Sequence, residues 1–323
     1  MLDLGANGKA IDACYGSGVT YLTSDLRWFR EAKRMGLHTV YKLISDFEVE
    51  GFFDAVLYEP PGREAKQRIF EMCDGAFASL AVGGQIYLAA KKDRGAESYR
   101  NRIESVFGNV SQIGRAKRMR VYQATKTFND PGQSPVNPLT SFRLRLPDNS
   151  FIPFRSRAGI FSADGFDPGS EFLVESVSPL IQGGRILDFG CGAGAIGISI
   201  AILHPEADLT LVDVNRLGTD CARDNVSRNA LDRRVGVYNR DGYEGLENRK
   251  FDWIVSNPPF HEGNAVMHPL IERAPEHLET GGKLALVVMR VEPCIKAIER
   301  VFRSYRVMAI REPYSVILAE KPT

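Results

Sequence analysis

The sequence predicts an α/β protein built as two tandem domains, each a doubly wound, mostly parallel sheet, with a C-terminal antiparallel hairpin and a shortened first domain. Three observations carry this: an internal repeat, a proline-rich break, and alternating strand and helix patterns after the break. The repeat pairs Phe53-Asp54-Ala55-Val56-Leu57-Tyr58-Glu59-Pro60-Pro61 with Phe251-Asp252-Trp253-Ile254-Val255-Ser256-Asn257-Pro258-Pro259, and Gly83-Gly84-Gln85-Ile86 with Gly281-Gly282-Lys283-Leu284, both 198 positions apart. Ile103, Phe107, Val121 and Ala124 match Ile298, Phe302, Val316 and Ala319 at 195.

At the front, Asp12-Ala13-Cys14-Tyr15-Gly16-Ser17-Gly18 aligns with Asp188-Phe189-Gly190-Cys191-Gly192-Ala193-Gly194 at only 176. The first copy is then 22 residues shorter before its Pro-Pro strand, the size of one short strand-plus-helix unit. Three prolines and a glycine among residues 129–138 stop any helix or central strand. The expected domains are therefore 1–128, degenerate, and 139–323, catalytic, joined by a linker at 129–138.

The elements after the break follow in order. Arg143–Leu146 and Phe151–Phe154 have strand period and form a small hairpin. Asp167-Pro168 suits a helix start, with Asp as N-cap and Pro at the first helical position; Gly183-Gly184 ends that stretch. Strands are expected at 185–189, 208–212, 235–238, 253–256 and 283–289. Helices are expected up to about 203 and at 217–230, 265–280 and 292–303. Residues 306–310 and 315–319 read as the closing hairpin, with Pro313 in its turn. Ligands of such sheets bind beyond the carboxyl ends of the strands.

Composition bounds the function. With 44% hydrophobic and 25% charged residues, the 323-residue chain is globular rather than disordered. No apolar run approaches the roughly 18–20 residues that span a bilayer, and Met1-Leu2-Asp3-Leu4-Gly5 lacks a basic-then-apolar leader. Five scattered cysteines without a CxxC pair indicate reduced thiols in a cytoplasmic protein, with no metal site. The net charge of +1 divides into +3 over residues 1–135 and −2 over the remainder. Lys91–Arg120 holds nine basic and three acidic residues, a local excess suited to phosphate backbones. Lys91, Lys92, Arg115, Lys117, Arg118 and Arg120 are its candidate RNA-binding members. The sequence carries no dimer signal.

Gly190-Cys191-Gly192-Ala193-Gly194 leaves a strand and opens a helix, where glycines allow a tight turn and free N–H groups meet a ligand. Dinucleotide enzymes use related loops, so the neighbouring carboxylates sharpen the reading. Asp213, ending the second strand, suits ribose hydroxyls. Asp241, after the third, suits an adenine amino group. Asp188 suits either orienting the loop or meeting a cationic amino-acid group.

Asn257-Pro258-Pro259-Phe260 lies just past the fourth strand. A purine exocyclic amine is a poor nucleophile because its lone pair is delocalised into the ring. The Asn257 side-chain oxygen and the Pro258 carbonyl can accept its two hydrogens. That aims the lone pair at the sulfonium methyl of S-adenosylmethionine. The prolines fix φ, Phe260 can stack on an extruded base, and His261 is adjacent to help position it. Asn257 thus borders both cofactor and substrate.

These residues resemble the Rossmann-like class I methyltransferases that modify exocyclic amines, and more closely the ribosomal RNA guanine-N2 methyltransferases of the RsmC/RlmG kind. Gly159-Ile160-Phe161-Ser162 to Gly169-Ser170, Leu187 to Gly194, and Ser256 to Gly263 carry the resemblance, which covers most of 140–323. Tyr15-Gly16-Ser17-Gly18 and Gly83-Gly84 to Lys126 carry a weaker one. The resemblance implies methyl transfer to the 2-amino group of a guanine in ribosomal RNA or a ribosomal subunit. It also implies a degenerate first domain that binds RNA or supports folding. A protein-glutamine methyltransferase and a non-catalytic RNA-binding assembly factor are the competing readings. Phe260, where the glutamine enzymes typically have Tyr, and the two-domain layout oppose the former.

Overall fold

The computed structural model describes residues 1–4, 18–47, 51–61, 64–258 and 264–322, and divides into Met1–Leu139 and Thr140–Thr323. The first unit contains β1 (Leu2–Asp3), β2 (Thr20–Thr23), α1 (Leu26–Arg34), β3 (Thr39–Tyr41), β4 (Phe53–Tyr58), α2 (Lys66–Ser79), β5 (Leu80–Lys91), α3 (Ala96–Phe107), β6 (Ser111–Ala116) and β7 (Met119–Thr125). Its sheet runs β3-β2-β1-β4-β5-β7-β6.

The second unit opens with a separate hairpin, β8 (Leu139–Arg145) and β9 (Phe151–Arg157). There follow α4 (Pro168–Val177), β10 (Gly184–Phe189), α5 (Ala195–Leu203), β11 (Ala207–Asp213), α6 (Arg216–Arg228), β12 (Val235–Asn239), β13 (Phe251–Ser256), α7 (Asn264–His277), β14 (Leu278–Val288), α8 (Val291–Val301), β15 (Ser304–Arg311) and β16 (Tyr314–Glu320). Its sheet runs β12-β11-β10-β13-β14-β16-β15. Both units therefore have one strand order, with the late pair antiparallel. Within β10, Ile186, Leu187, Asp188 and Phe189 are all buried, as expected of a central strand covered on both faces.

One expectation is corrected. Leu2 pairs with Val56 as Leu187 pairs with Ile254, so the front of the first copy is Leu2-Asp3-Leu4-Gly5, the counterpart of Leu187-Asp188-Phe189-Gly190. Asp12–Ser17 lie outside the described residues, and Gly18 directly precedes β2. No strand is missing. The contraction lies between strands: Asp3 to Tyr21 spans 18 positions where Asp188 to Leu211 spans 23, and Tyr21 to Thr39 spans 18 where Leu211 to Val237 spans 26. The alignment on Gly16-x-Gly18 matched glycine spacing instead of the buried strand that fixes register.

A shared lysine supports the correspondence. Lys126 is buried, and its ammonium donates to the carbonyls of Phe77 (2.9 Å) and Leu80 (2.8 Å) at the end of α2. Lys321 donates in the same way to Pro275 (2.8 Å) and Leu278 (2.7 Å) at the end of α7. A cation there satisfies the helix's last carbonyls and its negative pole. The proline-rich stretch is not loose. The Gly132 N–H donates to the Val106 carbonyl, the Val136 N–H to Asp74 Oδ2, and Arg102 to the Ser134 carbonyl.

Candidate active site at the carboxyl edge of the second sheet

β10 ends at the glycine loop, where Gly190, Gly192 and Gly194 have φ of +76°, +52° and +89°. Only glycine adopts these angles without strain. A Cβ on Gly190 would meet nothing within 4 Å, and one on Gly192 would meet only Ile160, at 3.7 Å. Both glycines therefore face open space that a ligand can fill. The Gly190 and Cys191 N–H groups donate to the Val212 carbonyl, locking the loop to β11.

Three carboxylates stand at this edge. Asp188 is fully buried; its Oδ2 accepts from the Gly197 N–H at 2.8 Å, which holds the first turn of α5. Its Oδ1 is buried without a hydrogen-bond partner. Burial pushes its carboxyl up to about 7, opposed by the Gly197 N–H and aided by the charge of Asp213. Asp213 accepts from Gly192 N–H (2.8 Å) through Oδ2 and from Asn215 N–H (2.7 Å) through Oδ1. Asp241 follows β12 by two residues, beside the Arg240 N–H that donates to the Asp213 carbonyl.

Asn257 follows β13, whose last residue, Ser256, donates its hydroxyl to the Phe189 carbonyl at 2.7 Å. The Asn257 side-chain nitrogen donates to Asp167 Oδ2 at 2.7 Å and to Ser170 Oγ at 2.9 Å. Among the described residues, no hydrogen bond reaches its Oδ1. Pro258 is buried; Pro259, Phe260 and His261 lie outside the described residues.

Sequence reasoning missed Asp167 and Ser170 as neighbours of Asn257, reading Asp167 only as the cap of α4. It does cap α4, accepting the Ser170 N–H at 2.8 Å. It also missed Asn225, fully buried in α6. Asn225 bonds both the N–H and the carbonyl of Arg155 on β9 (2.7 Å each) and the Ala193 carbonyl in the glycine loop (3.0 Å). An asparagine inside a predicted helix is an unusual choice and was the available signal. Phe161, two-thirds exposed, adjoins Ile160 at the glycine loop.

The edge thus combines a glycine cradle, a buried acceptor oxygen in Asp188, a second carboxylate on the adjoining strand and an amide acceptor at Asn257. This fits a ligand with a cationic group and ribose-like hydroxyls, set beside a nitrogen-bearing substrate. Among the described residues no cluster of His, Cys, Asp and Glu could hold a metal ion, and no helix is long and apolar enough to cross a membrane. The described cysteines, Cys73, Cys191, Cys221 and Cys294, are free and buried.

In the first unit the corresponding positions differ. β2 and β3 pair so that Thr23 and Leu43 stand where Asp213 and Asp241 stand, and Glu59 replaces Asn257. The Asp25 N–H donates to Thr23 Oγ1 as the Asn215 N–H donates to Asp213, so the turn is kept while its carboxylate is lost. The basic residues gather at the same carboxyl edge of that sheet. Lys91 ends β5 opposite Met119, Lys92 N–H donates to the Arg118 carbonyl, and Arg115, Lys117 and Arg118 form the exposed β6–β7 tip. Arg118 pairs with Asp93 at 3.2 Å. Arg120 differs from the expectation: it is buried, and its guanidinium donates to the carbonyls of Lys117 and Met119.

The family model of the methyltransferase small domain matches residues 152–318. The ribosomal RNA small subunit methyltransferase C of Pectobacterium atrosepticum is 30% identical over 292 residues, 87% of this chain and 78% of that protein. Its namesake from Stutzerimonas stutzeri is 31% identical over 283 residues, 84% and 80% of the two chains. Among solved structures, the T. thermophilus 16S rRNA N2 methyltransferase RsmC, in complex with AdoMet and guanosine, has a TM-score of 0.86 and 26% identity over 99% of this chain and 88% of its own. With the glycine loop, its carboxylates and Asn257 gathered at the carboxyl edge of this sheet, the chain belongs to the methyltransferase small-domain family, in the branch of the ribosomal RNA small subunit methyltransferase C proteins.

Proposed function

We propose that this chain transfers a methyl group from S-adenosylmethionine to the exocyclic 2-amino group of a guanine in ribosomal RNA, with small-subunit RNA as the substrate, following its relatives. The observation that carries this is the orientation of Asn257: its amide hydrogens are taken by Asp167 and Ser170, so its carbonyl oxygen is the end left for a substrate amine. S-adenosylmethionine, when bound, supplies the electrophilic methyl group.

The chain's own residues bind and orient. The Gly190–Gly194 cradle and Asp213 hold the nucleoside part, Asp241 its base, and Asp188, whose Oδ1 is buried without a hydrogen-bond partner, the cationic part. Asn257 Oδ1 and the Pro258 carbonyl accept the two amine hydrogens and set the lone pair in line for attack. No strong base is needed, because the amine proton becomes acidic as the C–N bond forms. Phe260 and His261, following in sequence, are the residues proposed to stack on and position the base. The basic edge of the first unit holds RNA by its backbone, and residues 129–138 join that unit to the catalytic one. This substrate makes the cytoplasm the site of action.

The test is transfer of labelled methyl to undermodified small-subunit particles. Nucleoside mass spectrometry should find 2-methylguanosine, and Asn257→Ala should abolish it while sparing cofactor binding. Label found only in protein would overturn the reading.

A further inference from the structure

We infer that Asp167 and Ser170, on the first turn of α4, are positioning residues that fix which end of the Asn257 amide meets the substrate; this deepens the methyl-transfer reading and rests on it. An amide side chain has two similar ends, one donating and one accepting. If the –NH2 end faced the reacting amine, donor would meet donor and the lone pair would not be aimed. A carboxylate oxygen can only accept, so Asp167 Oδ2 at 2.7 Å forces the –NH2 end of Asn257 towards α4. Ser170 Oγ at 2.9 Å takes the second hydrogen. The carbonyl oxygen is left, among the described residues, as the side-chain atom without a hydrogen bond.

The local backbone accommodates this arrangement. Asp167 Oδ2 folds back over α4 to take the Ser170 N–H as well. A Cβ on Gly169 would lie 3.0 Å from that oxygen and 2.9 Å from the Tyr314 ring, so residue 169 has no room for a side chain. The hairpin tip presses on α4 from the same side: Arg311 pairs with Glu175 at 2.5 Å and lies over the Phe172 ring at 4.4 Å. The helix bearing the clamp is thus braced by an arginine 136 positions beyond its Glu175 partner. The first unit, with Glu59 for the asparagine, has no amide to orient.

The test is a reciprocal exchange. In Asn257→Asp two carboxylates face each other, and kcat should fall at least a hundredfold. Adding Asp167→Asn restores a donor–acceptor pair with the carboxylate now on the substrate side, and kcat should recover at least tenfold. Asp167→Asn alone should lower kcat by an intermediate amount, because an amide at 167 can present either end and no longer forces one orientation of Asn257, while Asn still caps the helix. No recovery in the double variant, with fold and cofactor affinity intact, would overturn the inference. A second measurement is independent of substrate. In Asp167→Ser/Ser170→Ala, where serine keeps the cap, the Asn257 side-chain NH2 protons should exchange with solvent at least tenfold faster by NMR. Unchanged exchange would overturn the clamp, whereas fast exchange in a protein that never methylates RNA would overturn only the assigned reaction.

Discussion

Asp188 carries a carboxyl whose titration is set by burial. Its carboxyl, raised by burial to about 7 against about 3.9 in an unfolded chain, keeps its proton in the fold over a range where the unfolded chain has lost it. The fold's advantage is complete below about pH 4 and falls as pH rises to about 7, by up to roughly 4 kcal/mol at about 1.4 kcal/mol per unit. Asp188→Asn should therefore match the ligand-free wild type at pH 4 and exceed it in stability at pH 8, as read by urea midpoints across that range. Asp188 was legible in the sequence because a strand-ending acid before a glycine loop is a local pattern. The partners of Asn257 were not. Asp167 and Ser170 lie 90 and 87 positions away, and only the folded sheet decides which polar side chain faces which.

At the scale of elements, α6 does more than cover the sheet. Asn225 ties β9 to the glycine loop with three hydrogen bonds, two of them to the same residue. Asn225→Ala leaves those backbone groups unmet and should cost about 2–4 kcal/mol. It should also weaken S-adenosylmethionine binding, measurable by calorimetry, with the methyl-transfer rate at saturation little changed. The paired lysines make a second test. Lys126→Met and Lys321→Met each strip two carbonyls of a charged donor, and each should lower the urea midpoint by an amount equivalent to about 2–4 kcal/mol. Most strands and helices of the second unit were legible because their apolar periods are long and, at Asp167, the cap is strong; the Asn215 cap of α6 was not read. The front of the first unit was misread because β1 shows only two residues of ladder, too short to outweigh a glycine pattern further on.

For the whole molecule, the two sheets differ in what stands at one edge. The second keeps its carboxylates and its asparagine; the first has Thr23, Leu43 and Glu59 there and a cationic hairpin tip beside them. Reversing the tip with Lys117→Glu and Arg118→Glu should raise KM for RNA and reduce the salt dependence of RNA binding by about one unit of log–log slope per lost contact. Cofactor affinity, measured without RNA, should not move. Both sheets also share the order in which the strand following a hairpin turn comes to lie between its two predecessors, as β16 does between β14 and β15. During synthesis the rim of β14, with Leu284, Leu286 and Val288 along it, has no partner until the residues up to Glu320 have been made. At about 5–20 residues per second that is roughly 2–6 s of open apolar edge on every nascent chain. Chaperone demand and aggregation of truncated products should therefore concentrate on that strand.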